Sequence, residues 1–358
     1  MNGVMKKIAI FTDNLNVGGI QKSLVNMLNM IDYKKFIIDV YLFEKKNFYD
    51  IPKQANIIYL NKPFKLLNFI PFKIAYKIYN PRIVNNEYDL SIDFDSYQMH
   101  TAIGALKVNS KRKSIWVHND IKLKMKEEPK YRILHFFFKN KYKYFDIYNA
   151  VSKGALDSFK ELENYDHKIY NVIPNYINVN EIRDKMLEQC ELKVNPYKTN
   201  IVTLGRLCHQ KGIDIMLRNI SELNNYRNDF HLYIIGDGPD KRALEKQAEY
   251  LGIRDKVTFL GNQKNPFKYL NIMDLFYLTS RYEGQGMVIL EAMVVGLDIL
   301  IPKRLEKYCP LVKGNKTEIQ YLRNYKKKQK KDFNNLNEYN NKITKKLNNL
   351  FFIGGQDE

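Results

Sequence analysis

The chain has 358 residues, 45% of them hydrophobic, which suits a soluble protein of two ordinary-sized domains. Its longest apolar run, residues 133–138, is broken by His135, so neither a spanning helix nor a secretory core is expected. The net charge of +19 points to an acidic partner, and three widely spaced cysteines fit a reducing cytoplasm rather than a disulfide or metal framework.

Residues 1–4 read as a short lead-in. A first strand, residues 6–12, runs into the loop Asp13 to Gly19 and a helix with Ile20, Leu24, Val25, Met27, Leu28 and Ile31 at helical spacing. Gly18-Gly19 lies where open α/β sheets bind phosphates, although the dinucleotide fingerprint G-x-G-x-x-G is absent. Strands are expected at 37–43, 56–60, 90–94, 114–117 and 147–151, with helices between them to about Ile173. Sustained alternation of this kind predicts a doubly wound parallel sheet. The pattern breaks through a polar stretch to Lys198, then restarts with strands at 200–204, 231–235, 256–259, 275–278 and 298–301. The expected organisation is a first domain at 1–175, a linker with one short helix at 176–198, a second domain at 199–316 and a helical Lys/Asn-rich tail at 317–358. In that tail Lys326 to Lys331 reads as a solvated helix face, and residues 351–358 as a frayed end.

Three strand ends in the second half carry chemistry. After the strand at 275–278 comes Glu283-Gly-Gln-Gly-Met-Val-Ile-Leu-Glu291-Ala-Met, with a helix expected over 287–295. Gly284 and Gly286 let a ligand approach the backbone, and the helix start offers N–H groups near Gly286, Met287 and Val288 to an anion. Glu283 and Glu291 frame this corner. The strand at 200–204 ends in Gly205-Arg206 and continues to Lys211-Gly212. A guanidinium that grips two oxygens and a mobile ammonium together suit a diphosphate, whereas either alone would read as a solvated loop cation. Gly236-Asp-Gly-Pro239 positions the next helix, with Asp237 read as structural, and Gly261 ends a strand where backbone can meet a nucleobase. In the first half, His118 follows a strand in Trp116-Val-His-Asn-Asp120, and Ser152-Lys153 opens a helix after another.

In order and spacing, Gly18-Gly19, Gly205-Arg206 with Lys211-Gly212, Gly236-Asp-Gly-Pro239 and Glu283 to Glu291 resemble the retaining, nucleotide-sugar-dependent glycosyltransferases of family 4, often called group 1. The resemblance covers about residues 6–302. It implies an α/β fold of the GT-B type: two Rossmann-like, doubly wound parallel-sheet domains facing a central cleft. It also implies roles. Arg206 and Lys211 hold the donor diphosphate and stabilise the charge of its departure, replacing a metal ion. Glu291 accepts from ribose hydroxyls, Glu283 contacts the transferred sugar, and His118 lies near that sugar. Gly18, Gly19, Gly261, Gly286, Met287 and Val288 approach the donor through their backbones. The chemistry implied is glycosyl transfer with retained configuration through an oxocarbenium-like transition state, the leaving phosphate helping to deprotonate the acceptor. No cofactor or metal is expected, and a UDP-sugar is favoured over a GDP-sugar. The sequence departs from the family at Gln285, where an aromatic is common, and at Leu297-Asp298, where a small residue and proline follow the glycine.

The acceptor, a glycan or a lipid-linked precursor in cell-surface polysaccharide or capsule synthesis, is expected on the first domain. Lys62, Lys65, Lys73 and Lys77 alternate there with Phe64, Leu67, Phe69, Phe72 and Tyr76, and residues 107–143 hold 12 basic and 3 acidic side chains. These stretches suggest peripheral contact with an anionic membrane, on the inner face of the plasma membrane of a cytoplasmic protein. The alternatives are a GT-B nucleotide-sugar epimerase or hydrolase and a basic nucleic-acid-binding protein. The latter lacks a docking module in this sequence, and nucleic acid is not an expected partner.

Overall fold

The computed structural model describes residues 5–353 apart from Val17, Lys46, Asn47, Lys65, Val84, Asn85 and Asn334. The lead-in 1–4, Lys65 of the basic stretch and residues 354–358 of the expected frayed end lie outside the described residues. Two units emerge, Met1–Tyr176 with Glu338–Glu358, and Ile177–Asn337.

The first unit holds strands β1 (Lys6–Thr12), β2 (Phe36–Leu42), β3 (Asn56–Tyr59), β4 (Tyr88–Asp93), β5 (Ser110–Val117), β6 (Ile147–Ala150) and β7 (Ile169–Val172). Its helices are α1 (Gly19–Met30), α2 (Phe72–Ile78), α3 (Met99–Lys107), α4 (Ile121–Glu127), α5 (Pro129–Phe138) and α6 (Lys153–Leu162). All seven strands are parallel, in the order β3-β2-β1-β4-β5-β6-β7. Ile8, Ala9, Ile10 and Phe11 are wholly buried, as a central parallel strand covered on both faces requires. The strand order reverses between β1 and β4, so the loops after those strands diverge and leave a crevice-forming switch point at their C-terminal ends. Strand β7, absent from the expected strands, is a four-residue edge strand with Ile169 exposed and Tyr170, Asn171 and Val172 partly buried.

The second unit contains α7 (Val179–Met186), β8 (Thr199–Leu204), α8 (Ile213–Asn224), β9 (Phe230–Ile235), α9 (Lys241–Tyr250), β10 (Val257–Gly261), α10 (Phe267–Leu270), β11 (Leu275–Tyr277), α11 (Met287–Val295), β12 (Asp298–Leu300) and α12 (Glu318–Asn324). Its parallel sheet runs β10-β9-β8-β11-β12 and reverses between β8 and β11.

Three stretches differ from the sequence reading. Residues 177–198 are part of the second unit rather than a free linker: Asn178 caps α7, Val179 and Ile182 are buried, and α7 packs on α10 and α11. The expected tail is divided. Helix α12 packs on α8 and its Leu322 joins the second unit's core, whereas α13 (Leu336–Ile353) runs into the first unit. There Ile343, Leu347, Leu350 and Phe351, on one helical stripe, are buried in the core, with the Phe351 ring 5.1 Å from Phe36. Phe351 is therefore no part of a frayed end. The lysine run 326–331 is not a helix face either. Lys327 pairs with Asp274 at 3.0 Å, Lys330 donates to Asn271, and Lys331 reaches the carboxylate of Asp298. Asp298 also accepts from Tyr325 at 3.1 Å, so the residue that departs from the family pattern anchors the returning chain.

Because α13 fills the first unit's core, Leu347→Ala should cost about 2–5 kcal/mol of stability, read from urea unfolding followed by circular dichroism. A loss under about 0.5 kcal/mol, the size of an ordinary surface substitution, would contradict this packing.

Candidate functional site

The switch point of the second unit gathers most of the sequence-predicted residues. β8 leads through Gly205 and Arg206 into a 3-10 turn, His209–Lys211, and then Gly212. β11 leads through Thr279 and Ser280 to Glu283, and Gly286 starts α11. Lys211 Nζ lies 2.6 Å from Glu283 Oε1, and Ser280 Oγ donates to the same oxygen at 2.6 Å. Glu283 is buried and Lys211 nearly so, which makes this a charge-assisted contact of low solvent screening. Arg206, in contrast, is exposed and makes no ion pair among the described residues.

Backbone approaches hold these loops together. Gly212 sits at φ +62°, and a Cβ there would lie 2.5 Å from the Thr279 carbonyl, so the two loops nest only through glycine. Thr279 Oγ1 closes the same junction by donating to Gly212 O at 2.8 Å. Arg281 reaches back with a two-pronged grip on Asp214 at 2.8 and 2.9 Å and a bond to His209 O at 2.7 Å. Burial opposes the Asp214 charge, but the Arg281 and Arg218 guanidinium groups outweigh it and bring its carboxyl down to about 2. Gly236, at φ +133°, packs on Gly205 O so closely that a Cβ would stand 2.0 Å away, and its N–H donates to Gly261 O at 2.8 Å. The Gly261 carbonyl thus serves the sheet edge. Asp237 has a structural part: its carboxylate accepts from Gly238 N, and its carbonyl from Leu207 N.

α11 begins at Gly286, φ +72°, with no side-chain cap and half-buried Met287 and Val288 in its first turn. Its first N–H groups and its dipole therefore favour an anion. Every other buried residue of α11 is apolar; Glu291 is buried too, an ionic group that packing alone does not select.

The remaining sequence-predicted residues lie in the first unit. Gly18 is extended and Gly19 opens α1, where a Cβ would meet nothing within 4 Å. His118 is buried, and its Nε2 donates to the Phe94 carbonyl at 2.6 Å; burial pushes its pKa down to about 4. At neutral pH it is an uncharged imidazole whose Nδ1 can accept. Ser152 caps α6, accepting from Ala155 N at 3.1 Å.

Sequence reasoning missed a polar group at the first unit's own switch point. His100 Nε2 lies 2.9 Å from Asp13, and the buried Asp95 accepts from Asp13 N at 3.2 Å. Burial, with the charges of Asp93 and Asp13, raises Asp95 to about 6. Lys141, counted with the surface basic run, is instead fully buried and donates to the carbonyls of Ser96 and Gln98 at 2.6 and 3.1 Å. The available signal was position: Asp13 and Asp95 follow the two central strands. Among the described residues no group of three or more His, Cys, Asp and Glu side chains is placed to hold a metal ion.

Residues 186–349 match the family model described as Glycosyl transferases group 1. An uncharacterised glycosyltransferase of Methanocaldococcus jannaschii is 28% identical over 69% of this chain and 64% of its own length, so this chain spans somewhat under two thirds of that relative. The N-acetylgalactosamine-N,N'-diacetylbacillosaminyl-diphospho-undecaprenol 4-alpha-N-acetylgalactosaminyltransferase of Campylobacter jejuni is 26% identical over 81% of this chain and 78% of its own. Among solved structures, a point mutant of S. aureus TarM, in complex with fondaparinux, alpha-GlcNAc-glycerol and UDP, superposes with a TM-score of 0.67 at 15% identity, covering 97% of this chain and all of that one. The fold is GT-B, and in sequence too the chain is similar to glycosyltransferases.

His118 supplies a pH test. Its pKa falls on folding from 6.5 to about 4, so its contribution to stability is present above 6.5 and is lost as pH falls toward 4. Replacing it with glutamine, an uncharged donor to Phe94 O, should flatten that part of the stability profile in urea titrations. Superimposable profiles for wild type and His118→Gln would contradict the buried neutral state.

Proposed function

We propose that this enzyme is a retaining glycosyltransferase of family 4 that moves a sugar from a UDP-sugar to a hydroxyl of a glycan or lipid-linked acceptor in cell-surface polysaccharide synthesis. The observation that carries the reading is the Lys211–Glu283 contact, set at a sheet switch point beside the uncapped start of α11 and the exposed Arg206. Donor diphosphate at this corner would meet two cations and the Met287 and Val288 N–H groups. Arg206 and Lys211 then supply, in place of a metal ion, the charge that stabilises the departing diphosphate. Glu283, fixed by Lys211 and Ser280, points one acceptor oxygen toward sugar hydroxyls, and Glu291 serves the ribose. UDP in the TarM complex supports the choice of base, and the diphospho-undecaprenol substrate named for the Campylobacter relative supports a lipid-linked acceptor.

In the transfer, the bond from the anomeric carbon to the phosphate oxygen breaks and its electron pair leaves with the diphosphate. The acceptor oxygen bonds to the same face of that carbon, and its proton passes to the departing phosphate oxygen. His118, neutral and with Nε2 already committed, contributes a lone pair and shape rather than a proton.

Arg206→Ala and Glu291→Ala should each lower turnover by about 100-fold or more while the far-ultraviolet spectrum stays unchanged. In a thermal-shift series UDP should raise the wild-type melting temperature more than GDP or ADP do, and leave Arg206→Ala unmoved. Wild-type turnover in both variants would remove the site assignment, and a product of inverted anomeric configuration by NMR would remove the retaining mechanism.

A further inference from the structure

The first unit carries an outer face whose composition is unusual for a water-exposed surface. The 3-10 turn Leu67–Phe69 and helices α2 and α5 place their expected apolar residues only partly inside. Leu67, Phe72, Tyr131 and Phe138 are buried, but Leu66, Phe69, Ile74, Ile78, Ile133 and Phe136 are between 51% and 69% exposed. These elements adjoin: α5 packs on the turn, α2 packs on the 3-10 stretch Lys139–Tyr144 that continues α5, and the Phe69 and Phe137 rings meet at 6.5 Å. On α2 the outward positions read Lys73, Ile74, Lys77, Ile78, and on α5 Lys130, Arg132, Ile133, Phe136. Apolar and cationic side chains therefore share the outer side of each helix.

Two features single this face out. Residues 61–83 and 129–145 contain no acidic side chain, whereas solvated helix faces ordinarily mix both signs. Lys62 is the exception that is already paired, with Glu44 at 2.9 Å; Lys73, Lys77, Lys130, Arg132, Lys139 and Lys143 are all exposed. A second copy of the chain would bring the same cations against these and be repelled, and an apolar protein partner would leave them uncompensated. An anionic bilayer satisfies both halves at once: headgroups neutralise the cations, and the acyl boundary receives the aromatic and aliphatic tips. No helix among the described residues is long and apolar enough to cross a membrane, so the contact would be made in the interface plane.

We propose that this face, formed by residues 66–78 and 130–144, docks the enzyme on an anionic lipid surface. The proposal stands on exposure and charge in the first unit alone and does not depend on the donor chemistry of the second. The test is co-sedimentation of the full chain with phosphatidylcholine vesicles and with vesicles in which about a third of the lipid is phosphatidylglycerol. Wild type should partition onto the anionic vesicles, release as salt rises, and bind the neutral ones weakly. Lys73→Gln and Lys77→Gln should each weaken the anionic binding roughly fivefold. Ile133→Ser with Phe136→Ser should weaken the binding that survives in high salt, and unchanged melting temperatures would show that these exposed changes leave the fold intact. Equal binding by wild type and both kinds of variant, or no partition onto anionic vesicles, overturns the proposal. So does a concentration-dependent dimer in sedimentation velocity that these substitutions abolish, which would assign the face to a second copy, or a tighter, salt-sensitive association with RNA than with the anionic vesicles.

Discussion

One ion pair, Lys211 with Glu283, fastens together the two loops on which the proposed donor site depends. The partners are 72 positions apart in sequence and meet because β8 and β11 are neighbours whose connections diverge. Removing either charge would leave the other largely buried without its counterpart, a change that typically costs about 3–5 kcal/mol when the pair is fully desolvated and less where, as for Lys211, some solvent reaches it. The pair also fixes orientation. Glu283 is held by an ammonium and a hydroxyl on one oxygen, so its remaining acceptor capacity has a defined direction.

That contact forms only because the backbones around it come unusually close. Gly212 against Thr279 and Gly236 against Gly205 leave no room for a side chain, so the loop glycines are steric requirements before they are ligand contacts. The sequence motif and the packing therefore describe the same constraint from two sides. Arg281, locked to Asp214 and to His209 O, then braces the loop that carries Glu283 against the helix that follows Lys211.

Where glycine punctuates an apolar run, the sequence is informative to the residue: α11, between Gly286 and Gly296, begins and ends at the expected positions 287 and 295. The other strands of both sheets are legible from short apolar runs between polar segments, save the four-residue edge strand β7. The destination of α13 was not. Its apolar stripe is visible in the sequence, but local periodicity does not say which unit a returning helix will cover. The lysines at 327–331 misled because charge was read as solvation, whereas Asp274, Asn271 and Asp298 await them on the second unit. At the site, Lys211 and Glu283 were each placed at the correct sheet edge yet assigned separate tasks, since a contact 72 residues distant leaves no local trace. The Asp13–Asp95–His100 group escaped for the same reason, its partners being 82 and 87 positions apart.

The chemistry proposed for this protein thus rests on a diphosphate reaching the corner built by those two loops. Hydrogen–deuterium exchange with and without UDP addresses that directly, because bound phosphate must protect the N–H groups that face it. Diphosphate binding there predicts slowed exchange concentrated in residues 205–212 and 279–291, with the first-turn amides of α11 among the most protected. Unchanged exchange across both loops at a saturating UDP concentration would contradict it.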